Sequence, residues 1–537
     1  MNHRLLRKGR VRPLLVCLAL LGSACGVATS QQADKAQAAK QKARHGGSPS
    51  ATTGDTAASG AGGAAGGQGA GGGAGGPGGV AAGANGGGAG AGSTRPGSAT
   101  TGPGKSGGGG GGAGGGAAAI VNDQGITPTK IKIGFILPAG NPGAAFGINS
   151  PNSDPNSART LVDAMVKDVN QRGGIAGRTV EAAYVDNDNT DNSQKTQTDK
   201  QEQSCRTLTE GSKVFMAVAL NVGGLPFGHA CFAREGVPLI DRELTFETDA
   251  SMAQLRPWVI APTGMTLTRV AKLLPATLAE QGFLTKSMAV IAYDVPTTRQ
   301  VTEEVLIPEI QKRGGAVIDK VYSAVSYEDL GRQMSAAVLR FNGRVDRVLF
   351  MAPGGGAPLL FTKQADAQRY YPLLGVTTLD CPGPCLTPFD AASVPKRSMV
   401  GAIGVGYVPL YDTGGYDPWA NPTPRMRACW DAANRATGSS YPGPLGTQFV
   451  LQTCDLLNFA QQALAPAANR TLLRPQVADQ VAALGSGFAS MFTPKTRFAG
   501  DRLAGAAAVA PLRFDDDCGG NGTGCWKYSG PFKDSPF

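Results

Sequence analysis

The residues TPTKIKIGFILPAGNPGAAFG (127–147), followed by ARTLVDAMVKDVNQRGGIAGRTVEAAYVDNDNTD (158–191), decide the fold of this chain. Ile131, Ile133, Phe135 and Ile136 form a short apolar run bounded by Pro138 and Gly140. That is the pattern of a parallel strand buried on both faces. Leu161, Val162, Met165, Val166 and Val169 recur at helical spacing and give one apolar stripe. Gly173 and Gly174 follow where a helix end favours a left-handed residue. Val180–Val185 reads as the return strand, so the stretch is a βαβ unit with a parallel sheet and a right-handed crossover.

Upstream, no Phe, Trp or Tyr occurs before Phe135, and a segment of that composition cannot build an ordinary core. The globular part of the 537 residues is therefore roughly 128–537, enough for two lobes. The formal charge of +10 is misleading as a guide to partners. Residues 1–24 account for five of those charges and 25–127 for three, leaving +2 on the folded part. A nucleic-acid footprint would sit on the domain, so that partner class is set aside. Residues 1–24 have a basic start, an apolar stretch from Leu14 to Leu21 and small residues before Cys25, as in a secretory signal peptide. Leu21-Gly22-Ser23-Ala24-Cys25 resembles a bacterial lipobox, with Gly22 departing from the usual aliphatic residue. The expectation is a lipidated Cys25 that anchors the chain to the outer face of a cell membrane. The competing reading is an ordinary cleaved signal with Cys25 incidental. Residues 25–127 then form a Gly/Ala-rich disordered tether, whose seventy or so low-complexity residues would reach about 45 Å.

Downstream, helices and apolar strands alternate. Strands are expected at 214–220, 236–240, 288–293, 316–324, 347–352 and 398–408, with helices at 266–281, 297–313, 327–341, 426–436, 447–464 and 473–488. The tail from Asp515 to Phe537 reads as mostly irregular. Two successive β-α-β-α runs with strands ending in polar or Gly loops indicate two similar lobes. Eight cysteines remain after Cys17 and Cys25, an even set that in an exported chain reads as disulfides. Near-neighbour pairing would join Cys205–Cys231, Cys381–Cys385, Cys429–Cys454 and Cys518–Cys525, although spacing alone leaves other connectivities open. No C-x-x-C pair occurs and the histidines are His3, His45 and His229, which argues against zinc and leaves His229 as the one base available to a nucleophilic Cys. Asp186, Asp188 and Asp191, and again Asp515–Asp517, lack the Gly and terminal Glu of a calcium loop.

Ile131-Lys132-Ile133-Gly134 with Gly140–Gly147, and Val169 through Gly173-Gly174-Ile175-Ala176-Gly177-Arg178, resemble the extracellular solute-binding receptors of the branched-chain amino acid type. These are type 1 periplasmic binding proteins of ABC transporters. The resemblance covers about 128–465. It implies α/β architecture with two Rossmann-like lobes, parallel sheets and a three-segment hinge closing on a ligand. The expected division is 128–262 plus about 408–468 for lobe 1, and 263–407 plus about 469–537 for lobe 2. Ligand loops should lie after strand C-termini. Phe146 stands where the family often has an aromatic. Asn221, Val222 and Gly223 replace the family's small hydroxyl residues, and Arg242 with Glu243 replaces an Ala-Thr-type pair. Arg242 could hold an anion bidentately or form an interlobe salt bridge. Tyr293 and Asp294 could close over the ligand, unless Asp294 serves only as a helix cap. Gly354 and Gly355 could approach an anion without the ending of a nucleotide loop, and Thr378 lies in a further strand-end loop. The expected function is capture of a small polar solute, an amino acid, amide or small organic acid, for delivery to ABC permease subunits. A sensor subunit is the alternative in the same class. An enzyme on a similar scaffold is the alternative in another, although no G-x-S-x-G or H-E-x-x-H occurs. Neither a cofactor nor a metal is expected.

Overall fold

The computed structural model describes residues 123–140, 155–188, 194–220, 227–387, 394–413, 423–438, 443–518 and 523–537. A first sheet contains β1 (Lys130–Ala139), β2 (Thr179–Asp188), β3 (Met216–Ala219), β4 (Leu239–Asp241) and β5 (Val259–Ile260), in the order β2-β1-β3-β4-β5. All four pairings are parallel. β1 sits between two neighbours and under helices, so Ile131, Ile133, Phe135, Ile136 and Leu137 are all fully buried. That is why its sequence runs apolar without alternation. The helix Pro155–Gln171 lays Leu161, Val162, Met165 and Val169 onto this sheet. The helices Pro424–Thr437 and Gly443–Leu464 pack against it in turn.

The Gly-rich turn between that helix and β2 is built by close approach. Gly174 has φ +72°, and a Cβ there would lie 1.9 Å from the Arg178 carbonyl oxygen. Arg178 is 1% exposed. Its guanidinium donates to the carbonyls of Thr127 at 2.8 Å, Ala176 at 2.8 Å and Arg470 at 2.7 Å. One cation thus ties the lead-in to β1, its own turn and a segment almost three hundred residues later, using backbone dipoles rather than an acid.

The second sheet contains β6 (Met288–Tyr293), β7 (Val317–Ser323), β8 (Arg347–Met351), β9 (Leu373–Thr377) and β10 (Ile403–Gly406), parallel and ordered β7-β6-β8-β9-β10. β11 (Ala508–Asp515) and β12 (Cys525–Tyr528) then add antiparallel, and β13 (Lys533–Asp534) pairs with the start of β11. The tail from Asp515 to Phe537 is mostly irregular among the described residues, as expected, but it also holds the two short strands β12 and β13. Trp526 of β12 is buried opposite Phe514 of β11. Three helix and strand boundaries also differ. Pro308 lacks an N–H, and the expected helix 297–313 is interrupted by a π turn at Thr302–Leu306. The expected helix 473–488 is a 3₁₀ turn at Arg474–Gln476 and a helix Val477–Ala483 that ends before Gly485. Only Ile403–Gly406 of the expected strand 398–408 pairs, after a helical turn at Lys396–Met399.

The chain passes between the sheets three times: after β5, after β10 and before β11. The first and third passages run side by side, with Ala261 N–H donating to Leu503 at 2.9 Å and Gly505 N–H donating to Ala261 at 2.8 Å. Arg470 and Arg474 bond the first-sheet side, through Arg178 and Asp123. Four disulfides join Cys205–Cys231, Cys381–Cys385, Cys429–Cys454 and Cys518–Cys525.

Candidate functional site

Parallel strands place their C-terminal ends on one rim, and polar loops leave from there. β4 ends at Asp241, and the loop that follows carries Arg242 and Glu243. Arg242 is 2% exposed. Its Nη2 bonds Glu243, its Nη1 donates to Gln452 Oε1 at 3.1 Å, and its guanidinium lies 4.3 Å from the centre of the Tyr411 ring. Thr263 Oγ1 donates to its carbonyl at 2.7 Å. Arg242 therefore touches the first passage through Thr263, the second through Tyr411, and the helix Gly443–Leu464 through Gln452. An ion pair with the adjacent Glu243 neutralises it locally, so it is not a bare anion receptor.

Behind this loop, His229 is 2% exposed and bridges two carboxylates. Nδ1 meets Glu247 Oε1 at 2.5 Å and Nε2 meets Asp241 Oδ2 at 2.9 Å. Burial alone would lower its pKa, but the two carboxylates outweigh burial and raise it to about 10. The imidazolium pins both ends of the loop 241–247. It is a structural cation and offers no free nitrogen to a nucleophile, so the Cys–His reading is excluded by geometry and by the disulfides. Phe246, from the same loop, stacks on Phe227 at 5.4 Å and meets the edge of Tyr293 at 6.2 Å. Tyr293 ends β6, so this aromatic contact joins the rims of the two sheets.

On the second-sheet rim, Thr378 and Asp380 follow β9. Asp380 Oδ2 accepts from Thr377 N–H at 2.7 Å, and burial raises its pKa to about 8. Tyr407 N–H donates to Thr378 Oγ1 at 2.9 Å. Asp412 Oδ2 accepts from Val408 N–H at 2.9 Å and from Tyr528 OH at 2.5 Å. Gln448 Nε2 donates to the Leu410 carbonyl. These contacts form a polar cluster around the second passage: Arg242 with Gln452 and Tyr411, Gln448 with Leu410, Asp412 with Val408 and Tyr528, and Thr378 with Tyr407. Four of its atoms, Arg242 Nε, Gln452 Nε2, Gln448 Oε1 and Asp412 Oδ1, have no hydrogen-bond partner among the described residues. Buried polar atoms without partners cost about 1–3 kcal/mol each. Two of these atoms are nitrogens and two are oxygens.

Of the residues expected from sequence, Arg242 pairs with Glu243, Tyr293 meets Phe246 and Thr378 accepts from Tyr407 N–H. Gly355 abuts the Cys381–Cys385 loop, its ideal Cβ lying 2.8 Å from Cys385 Cβ, and Gly354 N–H donates to Leu379 O at 2.7 Å. Those two glycines serve the packing of strand-end loops, with the Gly354 amide already used. Asp294 is half exposed and pairs with Arg299 Nε at 2.5 Å. It does not cap the following helix, whose N-cap is Val295. Phe146, Asn221, Val222, Gly223 and Cys25 lie outside the described residues. Gln448, Gln452, Tyr411, Asp412 and Tyr528 were missed. The Gln pair at i and i+4 on one face of the helix Gly443–Leu464 was the signal available. Asp515 Oδ2 pairs with Lys527, and the Asp515–Asp517 carboxylates show no further ligand.

The sequence profile described as periplasmic binding protein matches residues 130–517. This chain belongs to the periplasmic binding protein family. Its two-sheet architecture with three passages is the type 1 form. Among solved structures, a fatty acid ABC transporter substrate-binding protein from Thermomonospora curvata shares 15% identity and a TM-score of 0.53, over 78% of this chain and 95% of that one. An R. palustris solute-binding protein in complex with 4-hydroxybenzoate shares 17% identity and a TM-score of 0.52, over 76% and 98%. A possible leucine/isoleucine/valine-binding protein from Rhodopirellula baltica shares 12% identity and a TM-score of 0.50, over 72% and 94%. At these identities the likeness is one of fold. No curated protein matches the sequence.

Proposed function

We propose that this periplasmic binding protein captures a small polar solute, an amino acid, amide or small organic acid, between its two lobes and delivers it to ABC permease subunits. The observation that carries the reading is the buried polar cluster at the strand-end rims, with unmet donors on Arg242 and Gln452 and unmet acceptors on Gln448 and Asp412. It lies where the first lobe, the second passage and the second lobe meet, so a solute bound there contacts both sides of a hinge and favours closure by its differential contacts. The structural neighbours bind a benzoate in one case and are named for fatty acid or branched-chain amino acids in others. That spread supports a small-molecule cleft on this fold without fixing the compound.

In this reading Arg242, Glu243, Tyr293 and Thr378 line the site, and the solute leaves unchanged. The first lobe comprises residues up to Pro262 with the helices between Pro424 and Ala483, and the second comprises the remainder of the folded part. Residues 1–24 direct export, lipidated Cys25 anchors the chain outside the cell membrane, and residues 25–127 act as the tether. A thermal-shift screen of amino acids, amides, aromatic acids and fatty acids tests the reading. A saturable rise in Tm with one class is expected, since a ligand that binds only the native state stabilises it. No shift from any class sinks it. Globomycin-sensitive processing of the precursor tests the anchor.

A further inference from the structure

β12, the second strand of the C-terminal hairpin, lies beyond residue 517, where the family match ends, yet it reaches the site. Cys518–Cys525 closes the loop between β11 and β12. Trp526 and Tyr528 are two apart on β12 and so share one face. Trp526 Nε1 donates at 3.2 Å to the carbonyl of Leu386, beside the Cys381–Cys385 loop. Tyr528 OH reaches Asp412 Oδ2 at 2.5 Å. One strand face thus braces both second-lobe loops that border the buried polar cluster.

Asp412 Oδ2 accepts from Tyr528 and from Val408 N–H, and Thr378 bonds the same carboxyl. Oδ1 is buried and has no partner among the described residues. We propose that Asp412 is a specificity-determining residue of the interlobe site, held by Tyr528 so that Oδ1 meets the solute, and that the C-terminal hairpin is therefore part of the binding machinery. This rests on the solute-binding reading above.

The hydrogen bonds fix the chemistry. With Oδ2 occupied as an acceptor, a proton on the carboxyl resides on Oδ1 and makes it a donor. Loss of that proton turns the same atom into a charged acceptor. Burial raises Asp412 to about 7, against the lowering effect of Tyr528, Thr378 and the Val408 and Tyr407 amides. The titratable groups facing it are Tyr528 on β12 and Tyr407 at the end of β10, both pushed far up by burial, with Glu243, Asp380 and Arg269 around Tyr407. None of these phenols changes charge near neutrality, which leaves Asp412, and Asp380 at about 8, as the groups that titrate here, and Asp412→Asn tells the two apart. Below pH 7 the position favours a carboxylate or carbonyl on the solute. Above pH 7 it favours an ammonium or amide N–H.

The test uses the full chain with two matched pairs of probes: 4-hydroxybenzoate with 4-hydroxybenzamide, and leucine with leucinamide. Affinity is measured by calorimetry between pH 6 and pH 8. For a probe that needs neutral Asp412, affinity falls about tenfold across that range, and its amide or amine counterpart moves the other way. Asp412→Asn abolishes the pH dependence. Tyr528→Phe moves its midpoint upward, because the lost hydrogen bond had favoured the carboxylate. A purely structural role for the pair would lower Tm in both variants and leave the pH profile as in the wild type, and that result overturns the proposal. Should Asp412→Asn fail to fold, the midpoint shift in Tyr528→Phe decides alone. Absence of binding by every probe to the wild type overturns the solute-binding reading instead, and this inference with it.

Discussion

His229 shows how far a single side chain organises the site. It gains two carboxylate partners on folding, so its native pKa of about 10 stands above its ordinary value near 6.5. The stabilisation is complete below about pH 6.5 and is lost as pH rises through about 10. His229→Ala leaves Glu247 and Asp241 buried together, and a loss of about 3–5 kcal/mol is expected in a denaturant titration. A loss within 0.5 kcal/mol would contradict the bridge. Asp380 works in the same sense over a lower pH window. Burial raises it to about 8, so the native state retains a proton that the unfolded chain releases near its usual carboxylate value of 3.8. Its contribution to stability falls as pH rises from about 4 to about 8. Asp380→Asn should flatten that part of the stability profile, and an unchanged slope would speak against the assignment. At this scale the sequence was only half legible. Arg242 stood out as a cation in a strand-end loop, but its partner Gln452 lies 210 residues away. Tyr411 and Tyr528 had no local pattern to mark them. Long-range juxtaposition leaves no trace in spacing.

Among the elements, the Gly173–Arg178 turn was read correctly as a helix end and strand start because its chemistry is local. Gly174→Ala places a Cβ against the Arg178 carbonyl at a positive φ. A loss of about 2 kcal/mol or more is expected from thermal or chemical unfolding, and a neutral substitution would refute the turn geometry. Cysteine pairs of near neighbours were legible for the same reason. Cys205–Cys231, separated by 26 residues and fully buried, should contribute about 3–4 kcal/mol, measured as the difference between the wild type and the double Ser variant. The two strands in the mostly irregular tail went unread because they are four and two residues long and are flanked by Gly, Pro and Asp. Their stability comes from pairing with β11 and from the burial of Trp526, and a residue-by-residue pattern contains neither. The π turn after Val301 was missed although Pro308 announced a lost hydrogen bond, since the sequence does not say whether a helix will kink, stop or widen there.

For the whole molecule, alternating helices and apolar strands were enough to read two sheets with parallel cores, though not the antiparallel edge that β11 and β12 add to the second. The solute was not legible, because specificity on this scaffold is set by loops that meet only after folding. Both the first and the second lobe contribute to the polar cluster around Arg242, so a bound solute should draw them together. Small-angle scattering should show a smaller radius of gyration at saturation, after allowance for residues 25–127. The central claim is reversible capture without chemistry. Calorimetric titration of the full chain with leucine, 4-hydroxybenzoate and decanoate, with mass spectrometry of the recovered compound, tests it most directly. At least one of the three should give a saturable one-to-one isotherm and return unaltered. Flat isotherms for all three, or recovery of a chemically converted compound, would contradict it.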